Sequence, residues 1–196
     1  ARIFLEMVRK LPDNDVTIQT DPSYKTTITC EKAKFNIVGK SVEDFSYLPQ
    51  IERSESICLS QFSLKEAVRQ TIFSIADNGT NKILTGELFE IKENIIKIVS
   101  SDGLHISLRR INLKNSYPSR KVIVPGKTLN EVSKILPGDV DRDVNIFFTD
   151  KHIVFEFDRT TVVSRLIEGE YFKIDQMLSS DYETKVTINK KELLDC

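Results

Sequence analysis

The chain repeats part of itself. The opening "FLEMVRKLPDNDVTIQTDPSYKTTITCEKAKFNIVGKSVEDFSYL" runs parallel to the later "LNEVSKILPGDVDRDVNIFFTDKHIVFEFDRTTVVSRLIEGEYFKI". In each copy a helical pattern ends at Leu-Pro (Leu11-Pro12; Leu136-Pro137) and an Asp-Val pair opens a strand (Asp15-Val16; Asp143-Val144). Three strand-like runs then close on an acidic-aromatic segment. Any strand-helix sequence can be slid over itself to some match, but three landmarks in one order make a true repeat the better reading, and a repeat means that one supersecondary unit is used more than once. The closing "YETKVTINKKELLDC" likewise resembles "SESICLSQFSLKEAV", with Lys191-Glu192 matching Lys65-Glu66. The expectation is the end of one unit over residues 1–50, a whole unit over 51–180, and the opening of a third over 181–196. The first helical pattern has no cap ahead of it and the last begins without continuing, so the chain reads as a fragment.

Within the whole unit the hydrophobic period alternates between the two templates. "SICLSQF" reads as a strand. "SLKEAVRQTIFSIA" reads as a helix with Ser63 as N-cap and Glu66 as its capping-box partner, its apolar face being Leu64, Ala67, Val68, Thr71, Ile72 and Ile75. "KILTGELFEI", "NIIKIVSS" and "LHISLRRI" are expected to form an antiparallel meander through Lys-Glu-Asn and Asp-Gly turns. "SYPSRKVIVPGKT" leads to a second helix, "LNEVSKIL", with Leu129, Val132, Ile135 and Leu136 inward, stopped by "PGD". "VNIFF", "HIVFEF" and "TVVSRLI" repeat the meander. The class is α+β, with two helices packed on antiparallel sheets.

Charge and chemistry narrow the function. In 196 residues, 28 Lys plus Arg stand against 29 Asp plus Glu, so the net charge of −1 leaves only a locally basic face for nucleic acid. Cys30, Cys58 and Cys196 are far apart without a CxxC pair, which argues against a disulfide framework or a zinc cage and for a reducing, cytoplasmic setting. No apolar run approaches the ~18 residues needed to span a bilayer. His105 near Asp102 and His152 near Asp150 are the two imidazole-carboxylate pairs, and neither has a nucleophile or glycine-rich loop beside it. Asp13, Asp15, Asp139, Asp141 and Asp143 follow helix stops, where Asp caps turns more often than it holds metal. No enzyme, cofactor or metal is expected. Lys65 and Arg69 on the first full helix, and Lys127, Asn130 and Lys134 on the second, lie outward of the apolar faces, as do Arg2 and Arg9 on the opening helix. Taken alone, such residues more often make a solvated face than a phosphate-contacting one.

Three stretches carry a family resemblance. "VSSDGLHIS", "KVIVPGKTLNEVSKIL" and "FEFDRTTVVSRLIEGEYFKI" resemble segments of the bacterial DNA polymerase III beta subunit, the sliding clamp, and the similarity extends over essentially the whole chain. It departs where the usual His-Arg after Asp-Gly is Leu104-His105, where the usual Phe-Pro is Tyr171-Phe172, and where a common Arg is Asn81. The resemblance implies the DNA clamp fold and a non-enzymatic processivity factor that encircles duplex DNA without sequence preference. It also implies tethering of the replicative polymerase, the clamp loader and repair proteins through clamp-binding peptides, in a bacterial cytoplasm and at the nucleoid.

Carried over position by position, the peptide pocket is Leu84, Ser101, Gly103, Leu104, His105, Ile106, Phe172, Gln176 and Met177. The DNA-facing set is Lys65, Arg69, Asn78, Asn81, Lys82, Lys127 and Lys134. Lys32, Lys34 and Ile37 fall at the subunit interface of a homodimeric ring, although a fragment lacking parts of the outer domains is expected to be monomeric. Two other readings stand beside this one, namely an α+β peptide-binding adaptor without DNA function and, further off, a metal-dependent nuclease.

Overall fold

A helix followed by three antiparallel strands occurs twice. The computed structural model describes residues 2–44, 56–77, 81–177 and 183–196, and the chain separates into two units, Ala1–Gln50 and Ile51–Cys196. In the first unit α1 (Arg2–Val8) precedes β1 (Thr17–Thr20), β2 (Lys25–Cys30) and β3 (Ala33–Val38), which form one sheet in that order. In the second, β4 (Ser56–Ser60) runs into α2 (Gln61–Thr71), then β5 (Gly86–Ser101), β6 (Ile106–Pro125) and α3 (Gly126–Ile135). β7 (Asp143–Phe148), β8 (His152–Phe157) and β9 (Thr160–Arg165) follow. β4 joins these last three in a four-stranded sheet of order β4-β7-β8-β9. Two short helices, α4 (Ile174–Met177) and α5 (Lys190–Asp195), come last.

The copies agree in their turns. β2 and β3 are joined by Glu31-Lys32 between the paired Cys30 and Ala33, and β8 and β9 by Asp158-Arg159 between the paired Phe157 and Thr160. Glu31 and Asp158 both have φ of 50°, the left-handed start that matches the twist of two-residue hairpins. An acid followed by a base at the same place in both copies is thus a structural register mark.

Several local expectations are corrected. Ser60, not Ser63, caps α2. Its extended backbone ends β4, and its hydroxyl accepts from the Ser63 amide at 3.2 Å, while the Gln61 and Phe62 amides go to the carbonyls of Arg142 and Asp139. Glu66 closes no capping box and binds Arg69 instead. The second helix begins at Gly126, and Ile135 is 48% exposed because the last inward position passes to Leu136. Asn189 caps α5 as Ser60 caps α2. Aligning the caps sets Lys191-Glu192 on Phe62-Ser63 rather than on Lys65-Glu66.

The expected meander needs a closer account. β5 and β6 pair as a single long ladder, Gly86–Ile91 against Arg120–Pro125 and Ile95–Ser101 against Ile106–Asn112, with the register slipping around Glu93. Yet Lys97 Nζ lies 3.4 Å from Glu90 Oε2. Seven residues of straight strand would separate their Cα atoms by about 23 Å, beyond the reach of both side chains. β5 therefore turns back on itself at Glu93, whose φ is 54°. The Lys-Glu-Asn reversal is present, embedded in continuous pairing.

The core of the second unit lies between helices and strands. Leu64, Ala67 and Val68 of α2 and Leu129 and Val132 of α3 pack with Phe89, Ile91, Ile96 and Ile98 of β5, Ile146 of β7 and Phe155 of β8. Burying each of the larger side chains among these contributes about 1.5–3 kcal/mol, and Ala67 less. A Cβ on Gly126 would overlap Ile75 Cδ1 and stand 3.0 Å from the Thr85 carbonyl, so a larger residue there requires the Ile75 side chain to move where α3 starts beside the end of α2. α1 presents Phe4 and Val8 partly to solvent.

Candidate functional site

The hairpin between β5 and β6 is built by one aspartate. Asp102 Oδ1 accepts from the amides of Leu104 and His105 at 2.8 and 2.7 Å, and Oδ2 lies 2.9 Å from His105 Nδ1. Gly103 takes φ of 95° and donates to Ser101 Oγ. The His105 contact and these amides hold the Asp102 carboxyl well below the usual carboxylate range. The loop is four residues long, between the paired Ser101 and Ile106. Leu104 stands at its tip, 89% exposed.

Behind this hairpin a strap crosses the sheet. Ile167 bridges to Ile123, and the chain then passes over β5 and β6, seating Ile174 on Leu88 and Val99 with Ile106, Leu108, Tyr171 and Phe172 packed around them. Tyr171 and Phe172 stack at 4.6 Å. The Tyr171 hydroxyl is buried, and its pKa is pushed up to about 12, chiefly by burial. Beside the strap opens a groove of about 620 Å³, floored by Leu88, Ile123 and Ile174. On its rim Glu90 meets Lys121 at 2.7 Å and Lys97 at 3.4 Å.

Of the pocket residues expected from sequence, Ile106 and Phe172 come together in one apolar cluster, and Ser101, Gly103 and His105 form the adjoining turn. Leu84 lies half-buried in the short helical turn Lys82–Thr85. Leu104 and Met177 are exposed, Met177 by 53%. The side chain of Gln176 lies outside the described residues. Leu88, Val99, Leu108, Tyr171 and Ile174 were not anticipated. Their signal is the alternation of Leu88 with Glu90 and of Lys97 with Val99, which puts all four on the face away from the helices.

The outward helix faces carry less free charge than their composition suggests. Lys65 Nζ donates to the Leu136 carbonyl at 2.8 Å, so this lysine caps the end of α3 and does not project freely. Arg69 is held by Glu66 through two 2.8 Å bonds, which lower the glutamate and raise the arginine. Lys134 pairs with Glu131 at 2.9 Å. Asn81 caps the Lys82–Thr85 turn through the Ile83 amide. Among the described residues Lys82 and Lys127 make no ion pair, and Asn78 lies outside them. In the first unit Lys34 and Lys32 are exposed, the latter in the turn and not on the strand. Ile37 alternates onto the opposite face of β3 from Lys34.

The carboxylates after helix stops serve their turns. Asp139 accepts from the Asp141 amide and pairs with Arg142, and Asp143 pairs with Lys114. No three His, Cys, Asp or Glu side chains converge as metal ligands among the described residues, and no described helix is long and apolar enough to cross a membrane. His152 makes no hydrogen bond or ion pair with Asp150 among the described residues; its amide donates to Thr149 Oγ1.

Family models for two consecutive domains match the chain. The DNA polymerase III beta subunit N-terminal domain matches residues 1–49, and the central domain of the same subunit matches residues 58–173. A "Beta sliding clamp" of Staphylococcus aureus (strain Mu50) is 32% identical over 192 residues, covering 98% of this chain and 51% of its own. A putative DNA polymerase III beta subunit from Eubacterium rectale, known from its crystal structure, is 72% identical with a TM-score of 0.87, over 100% of this chain and 53% of that one. The DNA polymerase sliding clamp of Bacillus subtilis is 33% identical with a TM-score of 0.85, over 99% and 51%. The chain spans about half the length of the curated relatives it matches.

Proposed function

Because the chain belongs to the DNA polymerase III beta subunit family, we propose that it is the first-to-third-domain stretch of a sliding clamp. Residues 1–50 close the first domain, 51–180 are the central domain, and 181–196 open the third. The clamp has no catalytic step. It encircles duplex DNA as a homodimeric ring and holds the replicative polymerase, the loader and repair proteins through short peptides, in a bacterial cytoplasm. Ring closure sets the first domain of one subunit against the third of the next, where Lys32 and Lys34 are available.

One observation supports this best. The second unit has two separate working surfaces: the outward faces of α2 and α3 on the helix side, and the hairpin with its strap on the other side of the β5–β6 sheet. A clamp needs that separation, because the duplex and the tethered partner must be held at once without competing. Lys127 on α3, and Lys82 in the Lys82–Thr85 turn, would meet phosphates through long-range, sequence-independent attraction that permits sliding. On the hairpin side, Ile106, Leu104 and Phe172 offer an apolar wall for the Leu and Phe of a bound peptide.

Both halves are testable in the full-length protein. Clamp loaded on closed circular DNA should be retained and should be lost when the circle is cut; equal loss from both would overturn encirclement. A peptide bearing Gln, Leu and a terminal Leu-Phe pair should bind weakly by fluorescence polarisation, and Ile106→Asp should abolish binding by burying an unpaired charge. Undiminished affinity in Ile106→Asp would remove the pocket from this hairpin.

A further inference from the structure

The base of the hairpin is tied to the end of α2 by two hydroxyl bridges. Ser100 on β5 and Ser107 on β6 are direct cross-strand partners, the pair next to Ser101 and Ile106. Ser100 Oγ donates to the carbonyl of Thr71, the last residue of α2. Ser74, in the helical turn that continues α2, places Oγ 2.6 Å from Ser107 Oγ. Thr71, Ser74 and Ser100 are buried, with relative exposures of 0%, 1% and 0%. Both strands of the hairpin are thus gripped at one rung by one helical turn. Beyond that rung only Ser101, Ile106 and the four-residue loop remain.

The grip is more than helix-to-sheet packing requires. Along the rest of the interface α2 meets β5 and β6 through Leu64, Ala67 and Val68, which are apolar and set no direction. Hydroxyl bridges fix distance and angle. At the edge of the core, where the hairpin leaves the packed interior, they replace the orientation that side-chain packing no longer supplies.

We propose that Ser74, Ser100 and Ser107 are positioning residues for peptide docking, holding the Ser101–Ile106 wall at the angle a clamp-binding peptide meets. This rests on the reading of the hairpin as a peptide wall. The Ser74–Ser107 bridge allows a test that separates position from stability. Removing one hydroxyl leaves the other buried and unpartnered, which destabilises the fold, whereas replacing both by Ala removes the link with little net cost.

The experiment compares full-length wild type, Ser107→Ala, the double variant Ser74→Ala/Ser107→Ala, and Ser107→Thr, which keeps a hydroxyl. Each is measured for Tm and for affinity toward the Gln-Leu-Leu-Phe peptide. The expected result is that the double variant recovers Tm while its peptide affinity stays reduced, on the order of five-fold, and that Ser107→Thr binds like wild type. If affinity returns together with Tm in the double variant, the serines are structural and the proposal falls. If wild type itself does not bind the peptide, the reading of the hairpin as a wall fails first, and the proposal with it.

Discussion

Replacing Glu87 with Gln should remove a pH dependence of stability that the wild-type protein carries near neutrality. Glu87 is fully buried on β5, and neither of its carboxyl oxygens has a hydrogen-bond partner. Burial raises its pKa from 4.5 to about 8, with the nearby Thr71 hydroxyl pulling the other way. Between those values the folded protein keeps the proton and the unfolded chain gives it up. Its contribution is therefore fully present below pH 4.5 and is lost as pH rises through about 8. At 1.36 kcal/mol per unit, the loss between pH 5 and pH 7 is about 2.5 kcal/mol, a large fraction of the 5–15 kcal/mol typical of a folded domain. Urea titrations of both proteins at pH 5 and pH 7 read this directly, and at a typical slope the wild-type midpoint should fall by about 1 M more than that of the variant. The Gln amide brings its own desolvation cost, but this is the same at both pH values and cancels in the comparison. Parallel pH dependences in the two proteins would refute the argument.

Lys65→Met should lower stability by about 1 kcal/mol through loss of the bond to the Leu136 carbonyl, while leaving DNA retention nearly unchanged. Lys82→Glu and Lys127→Glu should instead weaken retention and flatten its salt dependence. Loading assays across a salt series distinguish the two, and a retention loss in Lys65→Met equal to theirs would put Lys65 back against the duplex. Gly126→Ala should cost more than Gly103→Ala. The first forces overlap with Ile75 Cδ1, about 1–3 kcal/mol of overpacking, whereas the second meets open space and carries only about 1–2 kcal/mol of backbone strain. Thermal denaturation giving the reverse order would contradict the packing described for the start of α3.

The strands and helices were legible because their signals are local. The period of "HIVFEF" and the apolar spacing of "LKEAV" survive whatever surrounds them. The failures came where a distant segment supplies the partner. Ser63 looks like a cap beside Glu66, but the helix starts earlier because Arg142 and Asp139, more than 70 residues on, offer carbonyls to its first amides. Lys65 looks like an outward charge, yet the end of α3 takes it. Ile37 and Lys34 are close in sequence, but a strand sends them to opposite faces. Glu87 gave no warning, since an acid in a β pattern reads as solvent-facing until both faces of its strand are known to be covered. The proposed place of the hairpin in a docking surface rests on resemblance alone; the strap that backs it, from Gly169 to Ile174, shows no periodicity from which its course could be inferred.

The second unit also contains a repeat shorter than the one that opened the sequence. β4 runs straight into α2, and the end of β6 runs straight into α3. Each leading strand then pairs away from its own helix. β4 pairs with β7, which follows α3, while Arg120–Pro125 of β6 pairs with Gly86–Ile91 of β5, which follows α2. The two halves have exchanged their first strands, so neither sheet is complete without the other half, and one continuous core joins α2, α3 and strands from both sheets. Partial unfolding of one half would strip an edge strand from the other and expose part of that shared core, which favours cooperative unfolding of the whole unit. The exchange fixes the outward faces of α2 and α3 relative to each other and, through the Ser100–Ser107 rung, fixes the hairpin relative to α2. The proposed ring, sliding on DNA while holding a partner, would need its two surfaces rigidly related, and the strand exchange would supply that relation within a single domain.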